Sequence, residues 1–423
     1  MKISILFSFA ICLSWIPVAS AGDPSEINPP QTSWPQWRGP TRDGQVNGPP
    51  WPDTLADRTF KQSWRVPLGP SYSGPIVSDS MVFVTETKDQ KLEIVRAIDR
   101  ATGNQRWEAS WEGSLSVPFF AKSNGDWIRS TPAFDGESLY VAGMRDVLVC
   151  LNAATGEQRW KVDFVKELNT PVPAFGFVCS PLVDGDFVYV QAGSAFCKLD
   201  KRSGKIVWRS LKEAGGMMES AFSSPLMADV AGRKQLLVQT RERLVGVDLE
   251  TGEELWSQTI PAFRGMNILT PTVFGDSIFT SSYGGKSWLY ELKNEDGVIS
   301  TGEAWTNKVT AYMSTPVVID GHAYLHLQNQ RFTCIDLSTG TSKWTTTPFG
   351  EYWSLVANGD KILALDEQGE LLLIQANSEK FEKLDSRKIS EDPTWAHLAI
   401  CGDEIFVREL NAMTAFRWRN EQN

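Results

Sequence analysis

Asp248-Leu249-Glu250-Thr251-Gly252-Glu253-Glu254-Leu255-Trp256 decides the fold, because it is one copy of a pattern that keeps returning. Asp or Asn, two residues, Thr or Ser, Gly, three residues and Trp recur without a gap at Asp99–Trp107, Asn152–Trp160, Asp200–Trp208 and Asp336–Trp344. A slacker copy is Thr301-Gly302-Glu303-Ala304-Trp305. Each element has a local task. The short Asp or Asn side chain bonds the backbone two residues on and starts a turn, the hydroxyl adds a similar bond, and Gly supplies the positive φ of a tight hairpin. The Trp then falls in the next strand, where its ring can be buried between sheets and its indole N–H can reach a backbone acceptor.

Upstream of the turns lies a shared preface: Ser or Thr followed by Pro, a short apolar strand, an Asp-Gly turn and an alternating strand. Ser130–Gly136 with Leu139–Ala142, Cys179–Gly185 with Phe187–Val190, and Ser314–Gly321 with Ala323–His326 show it. Alternation with period two and Asp-Gly hairpins predict antiparallel sheet, four strands (A to D, inside to outside) per unit. Such units repeated radially make an all-β propeller. Prefaces near Ser73, Thr131, Ser180, Ser224, Thr270, Thr315, Ser354 and His397 predict eight blades of about 45 residues each. The last unit runs out after three strands, and Thr59–Val66, with Trp64 as its docking tryptophan, is expected to supply the fourth and close the ring. The docking set is thus Trp64, Trp107, Trp160, Trp208, Trp256, Trp305 and Trp344. Blade 7 departs most: Asn377–Phe381 lacks the Gly and Trp, and Phe381 is expected to stand in; a seven-bladed ring is the alternative.

Lys2, an apolar run from Ile3 to Val18 and the small residues Ala19-Ser20-Ala21 read as a secretory signal cleaved after Ala21. Residues 22–58 are expected to form an extended N-terminal segment and 59–423 the propeller. No later stretch is apolar enough for a membrane-spanning helix. The expected location is therefore periplasmic or secreted. A net charge of −10 without basic runs argues against nucleic acid and anionic membranes as partners. Cysteines show neither adjacent pairs nor Cys-x-x-Cys; Cys150 and Cys334 occupy equivalent strand positions and read as buried free thiols. His322 and His326, on one strand face, stand about 13 Å apart, too far to share a metal. No metal site is expected.

Through the turn–Trp repeats over roughly residues 60 to 420, the chain resembles the pyrroloquinoline-quinone (PQQ) repeat, or quinoprotein alcohol-dehydrogenase-like, propellers. It looks closest to BamB-like exported propellers and to bacterial exported proteins that open with Trp34-Pro35-Gln36-Trp37-Arg38-Gly39-Pro40 and Arg42-Asp43-Gly44. The BamB resemblance implies a periplasmic lipoprotein of outer-membrane β-barrel assembly, but the lipidation cysteine is missing. The dehydrogenase resemblance implies PQQ and calcium at the ring centre. Here the neighbouring cysteine pair, the long covering insertions and a Cys-x-x-Cys-His haem site are all absent from the sequence, so no cofactor is expected.

The segments joining strand D of one blade to strand A of the next should gather around the channel. They carry Tyr72, Trp127, Arg129, Phe177, Glu219, Asn267, Tyr312, Tyr352, Trp353, Trp395 and His397, with Asp126, Phe175, Phe222 and Arg264 nearby. Two readings fit: a site for a small polar ligand, sugar or peptide, with Arg129, Glu219 and Asn267 as its polar groups, or large side chains that plug a wide channel. Ser116–Phe120 and Pro171–Phe175, in the loops Ala109–Gly125 and Val162–Gly176, expose apolar residues that suit a docking lip or a cover over the channel mouth. The Trp34–Pro40 segment is expected to run along the outside, burying Trp34 and Trp37 against a blade, with Arg38 and Asp43 as an ion pair. No catalytic elbow, zinc helix or phosphate loop is present. The expectation is a monomeric, non-catalytic binding or scaffold protein that meets an envelope protein or small polar ligand; the alternative is a PQQ oxidoreductase or other enzyme working in the channel.

Overall fold

The computed structural model describes residues 31–213 and 220–419. The expected signal peptide, its cleavage point and Glu219 lie outside them. The described residues form eight four-stranded antiparallel sheets arranged as an eight-bladed propeller. Blade 1 consists of Ile76–Val77, Met81–Lys88, Leu92–Asp99 and Gln105–Glu112. Blade 8 takes Ala399–Cys401, Glu404–Glu409 and Ala412–Trp418 from the C-terminal end, and its outer strand is Phe60–Pro67, antiparallel to Ala412–Trp418. The closing strand is where the sequence placed it. Among the described residues no helix is long and apolar enough to cross a membrane.

The repeat motif turns out to be an inter-blade contact. In all five full copies the turn Gly has φ between 73° and 77°. A Cβ on Gly156 would lie 2.5 Å from Trp107, and one on Gly204 would lie 2.7 Å from Trp160. In these five places the tryptophan of one blade therefore lies on the turn glycine of the next. Its indole N–H also donates to that turn's backbone: Trp64 to Arg100 O, Trp107 to Ala153 O and Trp160 to Lys201 O, each at 2.9 Å. Trp208, Trp305 and Trp344 bond Leu249 O, Leu337 O and Asn377 O in the same way.

Three expectations about the repeat need correcting. Thr301-Gly302 is not a turn, because blade 5 lengthens its outer strands to Ser287–Glu295 and Val298–Asn307 and turns between them. The turn has moved away from Trp256, which instead donates to Gln235 Oε1 at 2.6 Å. Gly246, opposite Trp256, makes room for this, since a Cβ there would stand 2.0 Å from the indole nitrogen. Phe381 does not replace the missing tryptophan of blade 7; it packs back toward blade 6, against Trp344 and Phe332. The tryptophan register is held by Asp385, paired with Leu373 as Trp344 is with Cys334. Asp385 Oδ2 accepts from Leu55 N at 2.7 Å and Thr54 Oγ1 at 2.8 Å. The N-terminal segment thus occupies the seam that an indole fills elsewhere.

The Ser/Thr-Pro preface stitches the inner ring. Gly74, Ser180, Ser224 and Thr270 donate their N–H to the hydroxyls of Thr131, Ser224, Thr270 and Thr315 on the following blades. One residue earlier, Ser130, Ser223 and Ser314 donate to Cys179 O, Leu269 O and Trp353 O of the next blade. The five described cysteines are buried free thiols, and Cys150 and Cys334 both face a docking tryptophan across the sheet. His326 is buried against Trp353 at 4.9 Å, and burial lowers its pKa to about 4. Of the loops, Ala109–Glu112 belongs to a strand and Phe164–Leu168 to a short helix.

The N-terminal segment corrects the sequence reading most. Only its later part runs outside, where Trp51 packs on Trp418. Residues 34–46 enter the channel from the end formed by the A–B turns and cross it. Trp34 pairs with Val77 of blade 1, Pro35 O accepts from Phe134 N of blade 2, and Val46 N donates to Ala357 O of blade 7. Arg38, fully buried, donates to Thr315 O, Pro316 O and Asp43 O at 2.9, 2.6 and 2.5 Å. Its contact with Asp43 is thus to the backbone carbonyl, and the Asp43 carboxylate instead accepts from Thr41 Oγ1 and Gln45 N. Arg42 reaches Pro181 O and Ser180 O at 2.7 and 3.1 Å. Both guanidinium groups flank Trp37, 5.7 and 5.8 Å from its ring. Gly44, with φ +79°, is obligatory, since a Cβ there would lie 2.8 Å from Arg38 Nη2. We call residues 34–46 the strap.

Three substitutions test this arrangement. Gly204→Ala combines left-handed backbone strain with a collision against Trp160 and should cost about 2–4 kcal/mol by denaturant unfolding. Gly185→Ala, at φ +56° with open space around it, should cost only about 1 kcal/mol. Arg38→Met leaves buried carbonyls unpaired and should lose roughly 2–4 kcal/mol. It should also release the strap, read as rapid proteolysis N-terminal to residue 58 while the propeller core resists.

Candidate functional site

Above the strap, the channel opens into a cavity of about 220 Å³. Trp37 is its floor, in edge contact with His397 at 5.2 Å. The wall has two tiers set by strand alternation. The first tier is the preface residue of six blades: Thr131, Ser180, Ser224, Thr270, Thr315 and His397. The second lies two residues earlier, where the side chain returns to the same face: Arg129, Val178, Phe222, Ile268, Met313, Tyr352 and Trp395. Tyr72, Phe175, Met266 and Tyr312 complete the wall.

The expected site residues divide between the cavity and the blades. Tyr72, Arg129, Tyr312, Tyr352, Trp395 and His397 line the cavity. Phe177 and Asn267 stand three residues before their preface hydroxyl and point into the blades instead. Phe177 packs on Phe164, and Asn267, 1% exposed, donates to Thr240 O, Arg241 O and Ile260 O. Trp353 stands one residue before Ser354 and stacks in the seam with His326 and Phe332. Trp127 backs the wall from behind Tyr72, with ring centroids 5.2 Å apart. The expected polar trio is thus reduced among the described residues to Arg129, because Asn267 turns away and Glu219 lies outside them. The strap floor and the apolar residues Val178, Ile268 and Met313 were not anticipated. The two-residue offset from each Ser/Thr was the available signal for the latter.

The rings form a continuous arc. Tyr72 meets Trp395 at 5.7 Å, and Trp395 stacks on Tyr352 at 5.6 Å and 5°. His397 bonds Ser354 Oγ through Nδ1 at 3.0 Å, and burial pulls its pKa down to about 3, so it is neutral at pH 7. Burial raises the Tyr72 hydroxyl to about 12 and lowers Arg129 to about 10, leaving Arg129 charged at pH 7. Arg129 is held by Trp127 O at 3.3 Å and Gly125 O at 3.0 Å. The described lining contains no carboxylate. Among the described residues, no group of three or more His, Cys, Asp or Glu is arranged to hold a metal ion. Calcium takes six or more oxygens, carboxylates prominent among them, and a tricarboxylate quinone requires several cations. Neither matches this lining.

The mouth widens into a groove of about 870 Å³ lined by Phe120, Phe263, Arg264 and Tyr283, sharing Phe175, Phe222 and Met266 with the cavity. At this rim Phe119, Phe120 and Phe263 are 86%, 50% and 53% exposed. Asp126 braces the rim loop, accepting from Val117 N at 2.9 Å and Ser116 Oγ at 3.2 Å.

Comparison with known proteins agrees with this architecture. The sequence profile of the family described as "Outer membrane protein assembly factor BamB" matches residues 91–346. The BamB of Yersinia pestis is 22% identical over 65% of this chain and 66% of its own length, so the chain spans just under two thirds of that relative. The BamB of Moranella endobia is 22% identical over 80% of this chain and 82% of its own. Among solved structures, BamB from Moraxella catarrhalis superposes with a TM-score of 0.62 at 15% identity, covering 86% of this chain and 99% of that one. A europium-containing methanol dehydrogenase does so with 0.51 at 10% identity, covering 90% and 98%; at such identities these likenesses describe the fold alone. With its profile matching more than half of the sequence, the chain belongs to the BamB-like family of PQQ-repeat β-propellers.

Proposed function

We propose that this protein is an exported, non-catalytic binding or scaffold propeller of the cell envelope, and that it meets a protein partner at the rim of its open channel mouth. The supporting observation is the asymmetry of the channel. The strap crosses one end, while the other presents Phe119, Phe120 and Phe263 around an open groove. Exposed large aromatics gathered at one rim are a feature of interaction sites. The relatives named for outer-membrane protein assembly support an envelope setting, and the signal-like N-terminus agrees with it. The lining weighs against PQQ with calcium, because one guanidinium faces the cavity and none of its described residues is acidic.

A photo-crosslinking residue at Phe120 or Phe263 should give discrete protein adducts in intact cells. The same residue at the outer positions Val207 and Val298, also exposed, should give none. Adducts spread equally over all four positions would remove the rim from consideration. Titration with PQQ and calcium should give no dye-linked dehydrogenase turnover; turnover at ordinary enzymatic rates would establish the oxidoreductase reading instead.

A further inference from the structure

We propose that the channel cavity binds a carboxylate carried on an aromatic or apolar body, the free C-terminus of a peptide being the form its mouth favours. This rests on the rim-binding reading and specifies what the same face holds at depth.

Arg129 is the one charged side chain in the cavity's described lining. Its Nε and Nη2 are spent on the carbonyls of Trp127 and Gly125, which fix the plane of the guanidinium. Nη1 makes no hydrogen bond within the described chain. No carboxylate stands within ion-pair distance among the described residues; Asp126, nearby in sequence, is engaged by Val117 N and Ser116 Oγ. A cation fixed this way on a half-buried cavity wall attracts an anion more strongly than a fully exposed arginine does. One fixed cation suits one negative charge.

The remaining wall sets the body of the ligand. Tyr72, Trp395 and Tyr352 form one aromatic side, and Phe222, Ile268 and Met313 face into the same space. No described lining residue is Asp, Glu, Asn or Gln, and the hydroxyls of Thr131, Ser224, Thr270 and Thr315 already accept inner-ring N–H groups, which leaves few side-chain acceptors for the hydroxyls of a sugar. An aromatic or apolar residue fits this wall. The shared walls of cavity and rim groove provide a path by which the rest of a chain could leave, past Phe120 and beneath Arg264, which stacks on Phe263 at 5.1 Å.

The test is calorimetric titration of the full mature chain with N-acetyl-phenylalanine, its amide, and a hexapeptide ending in phenylalanine with a free or amidated C-terminus. Both acids should bind, each at least tenfold tighter than its amide, and the peptide acid tighter than N-acetyl-phenylalanine. Arg129→Met should abolish the acid–amide difference, Arg129→Lys should retain part of it, and melting temperatures should show that both variants are folded. Phe120→Ser should weaken the peptide but leave N-acetyl-phenylalanine unchanged. Equal affinity for acid and amide, or an unaltered acid preference in a folded Arg129→Met protein, overturns the proposal. Equal binding of the two acids overturns the peptide form in favour of a free aromatic acid. If neither acid binds while rim crosslinks persist, the cavity proposal fails and the rim reading stands. If the acids bind but rim crosslinks are absent, the rim reading fails instead.

Discussion

The structure depends on a tryptophan lying flat on a glycine of the neighbouring blade. A single sheet cannot bury its own outer tryptophan, and a single turn cannot shield its own backbone. Each blade needs the next one, and the two halves of the repeated motif meet across the seam rather than within one blade. The glycine satisfies two constraints at once, a left-handed φ and an indole too close for any Cβ. The indole N–H then removes an exposed turn carbonyl. Repeated around the ring, this contact makes the blades one cooperative body. Phe60–Pro67 completes the last blade from the other end of the chain and so ties the ring shut.

Where the contact is interrupted, the chain supplies something else. Blade 5 withdraws its turn, and Trp256 finds Gln235 with Gly246 making room. Blade 7 has Asp385 at the tryptophan register, and Thr54 and Leu55 dock there. The same N-terminal segment seals the channel, with Arg38 and Arg42 satisfying inner-ring carbonyls from blades 3 and 6. One segment of chain therefore completes the blade 7 seam and closes one end of the channel, and the opposite end stays open.

Much of the candidate site was legible in the sequence, but its phase was not. Tyr72, Arg129, Tyr312, Tyr352, Trp395 and His397 were recognised as channel residues because they recur just before the inner strands. Phe177, Asn267 and Trp353 share that position yet turn into the blades, whereas Tyr312, at the same offset from Thr315 as Asn267 from Thr270, faces the channel. Proximity along the chain locates the right radius, and the folded path of each connecting segment sets the facing. Phe381 was misread for a related reason. Its aromatic character suggested a docking role, whereas the register opposite Leu373 belongs to Asp385.

The propeller architecture, the closing strand and six of the seven docking tryptophans were determined by the sequence alone, because they follow from local rules that repeat: turn chemistry, alternation and a fixed spacing. Only the tertiary structure decided where residues 34–46 run and which side chain carries charge into the channel. Neither has a periodic signature. A buried arginine satisfied by carbonyls of distant blades, and another left facing an aromatic cavity, look alike in sequence. They differ in which backbone oxygens the folded ring brings within reach.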